Sequence, residues 1–355
     1  MTTPFVSVLI DTFNHEHLIE DAVNSVFDQD FLRSEYEILV VDDGSTDRTR
    51  HTLRKFEPRL RVLEKPNGGQ ASAFNYAIPQ CRGEIIAFLD GDDWWAPTKL
   101  SRVAERMSLD REVAIVGHGI KESYADGSEI IVVPKRRERL RLDSLAAATI
   151  FRLRKCFLGT SRMTIRAGIA RQIIPIPETL VIQADEYFFT LATALNYLEI
   201  LDEPLTYYRI HAGNLYFSSG RGKPGLERKQ RCLAALCKAL RSDLAQRAVP
   251  EDVTNCVVEI VQAEADQLRL RLDGGLPWET FRIESKLFEV MHGDASLPAR
   301  LFRLASMSLA LVLPPKWFYA GRNWLGSRSW YRSMRQNTLQ VPEMTKATDW
   351  EKTKA

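Results

Sequence analysis

The most constraining feature of the chain is a rhythm in its first hundred residues. Short β-rich apolar runs alternate with helical periods, and several of those runs end in acids. Residues 5–10 form the first such run, and 17–27 follow with Leu18, Ile19, Ala22, Val23 and Val26 at helical spacing. Strands are expected at 36–41, 60–63 and 84–89. Helices at 47–56 and 69–78 separate them, the first capped by Ser45 or Thr46. Strands joined through helices of this length imply right-handed crossovers and a largely parallel α/β sheet. In such sheets a ligand sits beyond the carboxyl ends of the strands. The polar clusters Thr12 to Asn14, Asp42-Asp43 and Asp90 to Asp93 all fall at those ends.

Residues 110–215 are less regular, with strands expected at 113–117, 129–133, 161–165 and 206–210 and helices at 143–150 and 184–195. Lys135 to Arg141 reads as a basic loop, either solvated or facing an anionic ligand. From 226 onward the pattern is helical, at 226–247, 251–272, 277–291 and 297–313, and 336–355 is polar enough to be disordered. The 355 residues are 45% hydrophobic and 26% charged, which excludes a disordered or collagen-like chain. A net charge of +2 argues against a nucleic-acid partner, whose phosphates call for a clear basic excess. Cys81, Cys156, Cys232, Cys237 and Cys256 form no CxxC pair and read as small buried hydrophobes in a reducing compartment. The first residues lack the pattern of a signal peptide, and no apolar run reaches the ~18 residues needed to span a bilayer. The expected location is cytoplasmic.

Charge is unevenly distributed. Residues 295–342 contain no acid but carry Arg300, Arg303, Lys316, Arg322, Arg328, Arg332 and Arg335, a local +7, while 343–355 are neutral and 1–294 sum to −5. Trp317, Tyr319, Trp324 and Trp330 are interleaved with these basic residues. Aromatics mixed with Arg and Lys fit a segment, 297–335, lying on an anionic membrane surface. A core helix with a solvated basic end fits the same pattern.

Three motifs carry chemistry. Asp90-Gly91-Asp92-Asp93 ends a buried strand in three carboxylates, a costly concentration of charge unless a cation or donors neutralise it. Mg²⁺ or Mn²⁺ bridging a diphosphate is one partner; an acidic turn capping the next helix is the alternative. Asp42-Asp43-Gly44-Ser45 offers a carboxylate to a nucleobase N–H or ribose hydroxyl, or simply makes an Asx-turn. Asn67-Gly68-Gly69 through Asn75 places glycines at a helix start, where amides suit a phosphate or a close backbone approach.

These segments, in this order and spacing and together with 6–14, closely resemble the family 2 glycosyltransferases over residues 4–105, and more loosely to 215. The resemblance implies a GT-A α/β fold, here with a C-terminal helical extension, and inverting transfer from a nucleotide-sugar donor. It implies a nucleotide-sugar-binding half at 1–105, an acceptor half at 106–220 and a helical extension at 221–335. Thr12, Asn14 and Asp43 would line the nucleoside pocket with Asp42 nearby, and Gly69 and Asn75 would belong to the donor loop. Asp90 would face the ribose or metal and Asp92 ligate the metal. Asp11, where the family usually carries Pro or Thr, adds a carboxylate close to the base.

An inverting transfer needs a general base. Gln183-Ala184-Asp185-Glu186-Tyr187-Phe188-Phe189 matches the family's base motif, with Asp185 at the base position, Ala184 replacing the frequent Glu, and Glu186 as the fallback. Tyr208-Arg209-Ile210-His211 matches the family's closing segment, so Arg209 would meet the leaving group and His211 could ligate the metal. Trp94 could stack on a sugar or merely pack. The acceptor implied is a saccharide, polysaccharide or lipid-linked glycan of surface assembly, at the inner face of the cytoplasmic membrane. Two other classes compete. A sugar-1-phosphate nucleotidyltransferase would need a Gly-rich loop with Arg where Asp11-Thr12-Phe13-Asn14-His15 stands. A catalytically silent nucleotide-sugar-binding scaffold would not need Asp90, Asp92 and Asp185 together.

Overall fold

The computed structural model describes residues 4–124, 126–211, 214, 222–292, 304 and 307–326. The expected disordered tail at 336–355 and most of the expected helix at 297–313 lie outside the described residues. The first ninety residues follow the expected rhythm: β1 (Val6–Thr12), α1 (Ile19–Phe27), β2 (Tyr36–Asp42), α2 (Thr49–Leu53), β3 (Arg61–Glu64), α3 (Gln70–Ala77) and β4 (Ile85–Asp90). Alternation sends Val6, Val8 and Ile10 to one face of the sheet, against α1 and the later α4 (Lys99–Leu109), and Leu9 to the other, against α3. Both faces are covered, which is why these strands read as continuous apolar runs.

The second half supplies β5 (Trp94–Trp95), β6 (Val113–Tyr124), β7 (Glu129–Val132), β8 (Glu138–Leu140), α5 (Leu145–Arg154), β9 (Thr164–Arg166), α6 (Ala167–Ile173), α7 (Ala184–Leu195) and β10 (Tyr197–Ile210). The sheet runs β3-β2-β1-β4-β9-β6-β10-β5, with β7 on β6 and β8 on β10. β3, β2, β1 and β4 are parallel, as are β6 and β10, but β9 is antiparallel to both β4 and β6. The sheet is therefore mixed, and its parallel part is concentrated in the first ninety residues. Beyond Asp90 helices still separate several strands, but the β6–β7 pair and the strands β5, β8 and β9 run antiparallel to their neighbours.

Several local expectations change. The strand expected at 206–210 is the second half of β10, which pairs with β6 throughout and takes up Asp202-Glu203-Pro204 as a register shift. Ser45 and Thr46 do not cap α2, because their groups are spent on Asn14, and Asp47 instead accepts from the Thr49 amide at 2.9 Å. The Lys135 to Arg141 segment is partly strand β8, and two of its cations meet acids: Arg137 meets Glu199, and Arg139 meets Asp110 and Glu112. An anionic ligand at Arg137 or Arg139 would have to displace those acids. Four of the cysteines are buried as expected, but Cys156 is exposed.

The helical extension is α8 (Gly222–Gln246), α9 (Glu251–Asp273), α10 (Pro277–His292) and α11 (Pro315–Gly326). Leu233, Leu236 and Leu240 of α8 and Val257 and Val261 of α9 share one core with Phe74, Phe88 and Phe188. The extension is thus fused to the side of the sheet that carries α7. A smaller core of Leu270, Ile283, Leu287, Phe318 and Tyr319 joins α9, α10 and α11.

Candidate active site

Parallel register assembles the site. Asp11 stands opposite Asp90 across β1 and β4, and Thr12 opposite Asp42 across β1 and β2, so three strand ends deliver their polar residues to one edge. Gly91 lets the acidic loop close against that edge, since a Cβ there would come within 2.6 Å of Thr12 Oγ1 and 2.9 Å of His15 Nδ1.

The carboxylates crowd. Carboxylate oxygens of Asp90, Asp92 and Asp93, one from each, lie within 4.8 Å of one another. Asp11 Oδ1 and Asp93 Oδ2 are buried without a hydrogen-bond partner. Burial, then the charge of Asp92, pushes Asp11 up to about 8 and Asp93 up to about 7. Burial, then Asp11, holds Asp90 well above the carboxylate range. Asp92 moves the other way: burial opposes ionisation, but a hydrogen bond with His211 and the charges of His15 and His211 keep it below the usual range. His211 Nε2 is 3.0 Å from Asp92 Oδ2.

This set fits a hard divalent cation. It offers several oxygens within one coordination sphere and includes buried oxygens with no donor. Burial, and after it mutual repulsion, raises the proton affinities of Asp11, Asp90 and Asp93, and a cation would offset both.

Arg209 braces the acidic loop. Its amide donates to Asp93 Oδ1 at 3.0 Å, its Nε to the Asp92 carbonyl at 3.0 Å and its Nη2 to Asp21 at 2.7 Å. Its guanidinium lies 4.5 Å from the Trp94 ring centroid, and Tyr207 stacks on the same indole at 5.1 Å. Packing therefore engages Trp94.

The nucleoside-side residues are placed together but are mostly internally bonded. Asn14, in a left-handed conformation, accepts from the Thr46 amide at 2.8 Å, and Asp42 accepts from the Ser45 amide at 2.9 Å in an Asx-type turn. Asp43 accepts from the Gly68 and Gly69 amides at 3.0 and 2.7 Å and pairs with Lys65. The glycine-loop amides thus serve Asp43 where a phosphate contact was conceivable from sequence. Gly69 is required by geometry: its φ is +81° and a Cβ would meet Val181 at 2.8 Å. Asn75 clamps the same region, its amide donating to the Ile176 carbonyl at 2.8 Å and accepting from the Ile176 amide at 2.7 Å. Both of its polar atoms are spent on the loop leading to α7.

Asp185 opens α7, after Gln183 in a left-handed conformation. It is surrounded by protein yet still touched by solvent, and burial, then the charge of Glu186, pushes it up to about 6. It lies near enough to the acidic loop to raise both Asp11 and Asp90. Glu186, the fallback, is tied to Lys155 in an ion pair in which each side chain is 14% exposed. That pair removes Glu186 as a free proton acceptor.

A loop that sequence reasoning passed over links these parts. Ser161 Oγ donates to Asp90 at 3.3 Å and accepts from the Asp90 amide at 3.0 Å. The Ser161 carbonyl accepts from Lys99 Nζ at 2.7 Å, Trp95 Nε1 at 3.1 Å and Thr206 Oγ1 at 2.6 Å. Lys99 is fully buried, and burial drives its proton affinity far down. Gly159-Thr160-Ser161-Arg162 has no sequence signature beyond its polarity. Two surface concavities, one around Phe5, Phe31 and Glu105 and one around Arg82, Arg166 and Arg171, lie toward the amino ends of the parallel strands, away from the acids.

Comparison with known proteins bears on the family and the fold. The model of glycosyl transferase family 2 matches residues 7–165. An uncharacterized glycosyltransferase of Nostoc sp. is 31% identical over 231 residues, covering 63% of this chain and 70% of the relative. A putative teichuronic acid biosynthesis glycosyltransferase of Bacillus subtilis is 36% identical over 151 residues, covering 41% of this chain and 59% of the relative. Among solved structures, Staphylococcus aureus TarS 1–349 in complex with UDP-GlcNAc superposes with a TM-score of 0.56 at 21% identity, covering 81% of each chain. A mannosyltransferase from Pyrobaculum calidifontis in complex with GDP-Man and Mn²⁺ gives 0.50 at 19%, covering 96% of this chain and 89% of the other. At those identities the structural likeness concerns the fold, a GT-A α/β sheet with C-terminal helices.

Proposed function

The chain belongs to glycosyl transferase family 2, and we propose that it is a metal-dependent, inverting transferase acting on a nucleotide diphosphate sugar. The observation that carries the reading is the nearness of two unlike carboxylate groups, the acidic loop at the ends of β1 and β4 and Asp185 at the start of α7, close enough for their charges to act on one another. Asp92, Asp90 and His211 would hold Mg²⁺ or Mn²⁺, which when bound neutralises the diphosphate as it leaves. Thr12, Asn14, Asp42 and Asp43 would frame the nucleoside, with Gly69 and Asn75 fixing the loop beside it. Arg209 keeps the acidic loop in place, and Trp94 with it.

In the transfer, the acceptor oxygen attacks C1 of the sugar and the C1–O bond to the diphosphate breaks, its electron pair leaving with the nucleotide. The acceptor proton passes to Asp185. A carboxylate raised to about 6 is a better base than a free one and is still ionised at neutral pH. The acceptor in this reading is a growing or lipid-linked saccharide of surface glycan assembly, with 297–335 facing an anionic membrane from the cytoplasmic side.

The test is a panel of UDP- and GDP-sugars incubated with purified protein and Mn²⁺, reading nucleotide diphosphate release. Slow hydrolysis of one donor by the wild type and its loss in Asp92→Ala would support the reading. Neither turnover nor a donor-induced thermal shift across the panel would leave a silent scaffold as the better account.

A further inference from the structure

We infer, on the nucleotide-sugar reading above, that the Arg162 guanidinium meets the β-phosphate of the bound donor and supports its charge as it leaves. The sequence pattern put that role on Arg209, but Arg209 is already engaged. Its amide, Nε and Nη2 go to Asp93, Asp92 and Asp21, and its guanidinium packs on Trp94. Arg162 is not so engaged. Its Nη1 donates to the Cys156 carbonyl, and its guanidinium lies 5.9 Å from the Tyr208 ring centroid. Among the described residues its Nε and Nη2 meet no acceptor, and no carboxylate forms an ion pair with it.

Its neighbours fix Arg162 beside the acidic loop. Ser161, the preceding residue, is bonded to Asp90 through its hydroxyl, and the Ser161 carbonyl is anchored by Lys99, Trp95 and Thr206. Backbone held in this way delivers the next side chain to a set position. Gly159 leaves the space into which that side chain folds, since a Cβ there would collide with Arg162 Nη2. The Tyr208 ring beside it stands near the acids: burial, then the charges of Asp93 and Asp90, pushes its hydroxyl up. Burial is the larger influence on Asp185 and Asp93, but the Arg162 charge offsets part of it at both. The guanidinium is thus within reach of both carboxylate groups. A half-buried arginine with N–H groups to spare is completed by an anion, and its planar fork matches phosphate oxygens two at a time. In the reading above, the donor diphosphate is the anion that comes to this edge, while the acceptor hydroxyl is neutral. As the C1–O bond breaks, the electron pair settles on the β-phosphate oxygen. A fixed cation there stabilises the departing charge more than the bound donor, and the acceptor proton still passes to Asp185.

The full chain with Mn²⁺ is titrated calorimetrically with UDP, GDP, UMP and GMP, and hydrolysis of UDP-glucose, UDP-glucuronate and GDP-mannose is read in parallel. Arg162→Gln is expected to lose about tenfold or more in affinity for the diphosphate that wild type binds, and to keep that of the monophosphate. Its kcat should fall by about 10²-fold on every donor that wild type hydrolyses. Arg162→Lys should recover part of both losses, because it keeps the charge and lacks the fork. Gly159→Ala moves the guanidinium without removing it, and at a φ of −58° alanine fits the backbone. It should therefore show a partial loss at an unchanged melting temperature. Diphosphate affinity and turnover of Arg162→Gln within about threefold of wild type would overturn the inference and leave the transferase reading standing. Equal weakening of diphosphate and monophosphate would do the same, as the mark of a residue that only holds its loop. So would a loss confined to UDP-glucuronate, which would put the guanidinium at the sugar carboxylate. Where a diphosphate binds and no donor is turned over, the ratio of diphosphate to monophosphate affinity decides alone. Neither binding nor turnover by the wild type would sink the transferase reading and the role of Arg162 with it.

Discussion

Replacing Asp185 by Asn keeps the shape of the side chain and removes the proposed proton acceptor, and the structure sets the sign of the effect. The Asn side chain can still accept from the Glu186 amide, as Asp185 does at 2.8 Å. Loss of a general base costs about 10²–10⁴ in rate, or roughly 3–5 kcal/mol of barrier. Glu186 cannot substitute while Lys155 holds it. With Asp185 raised to about 6, the wild-type rate should fall tenfold per pH unit below pH 6 and level off above it, and the variant should lack that acid limb.

Stability gives a second readout. The folded state holds the Asp185 proton more tightly than the unfolded chain does, so ionisation of Asp185 destabilises the fold as pH rises from about 4 through 6. Asp185→Asn should therefore be more stable than wild type at pH 8, by about 1–3 kcal/mol, and equal to it near pH 4. The assay is Mn²⁺-dependent nucleotide diphosphate release between pH 5 and 9, with urea denaturation at pH 4 and pH 8. A carboxylate that served only the helix dipole would behave oppositely, with its loss costing about 0.3–1 kcal/mol at neutral pH. Activity within threefold of wild type together with lower stability at pH 8 would refute the assignment.

On the proposed metal site, Asp92→Ala takes away a ligand as well as the partner of His211, so calorimetric titration of the variant with Mn²⁺ should show no heat where wild type shows saturable binding. Gly69→Ala forces a Cβ into Val181 at a φ of +81°, which should lower unfolding free energy by about 1–3 kcal/mol in urea and weaken any donor-induced thermal shift. Glu284→Ala leaves Arg322 and Gln267 facing a buried space without their acceptor. The expected cost is about 2–4 kcal/mol by chemical denaturation, and Glu284→Gln should cost less because it keeps one oxygen.

The strand–helix rhythm, the parallel sheet of the first ninety residues and the edge where chemistry gathers were all legible in the chain before any folding. Each of them obeys a local rule: a period, a turn, or a strand end. The motifs that carry Asp90, Asp92 and Asp185 were visible too, because their spacing is short and fixed, and the fold brings the three into one neighbourhood. How the polar groups are shared was settled by the packed molecule. Asp43 is filled by Gly68, Gly69 and Lys65, Asn75 is spent on Ile176, and Glu186 is held by Lys155. All of those partners are distant in sequence, and no local pattern encodes such a separation. The same limit hid the Ser161 hub, whose acceptors and donors come from β4, β5, α4 and β10. It also left the tail open, because an amphipathic helix reads alike whether its apolar side meets a core or a membrane. α11 resolves that locally: Phe318 and Tyr319 face inward while Trp317 and Trp324 face out. Which side is buried depends on where α9 and α10 stand, and that is a property of the packed molecule and not of the segment.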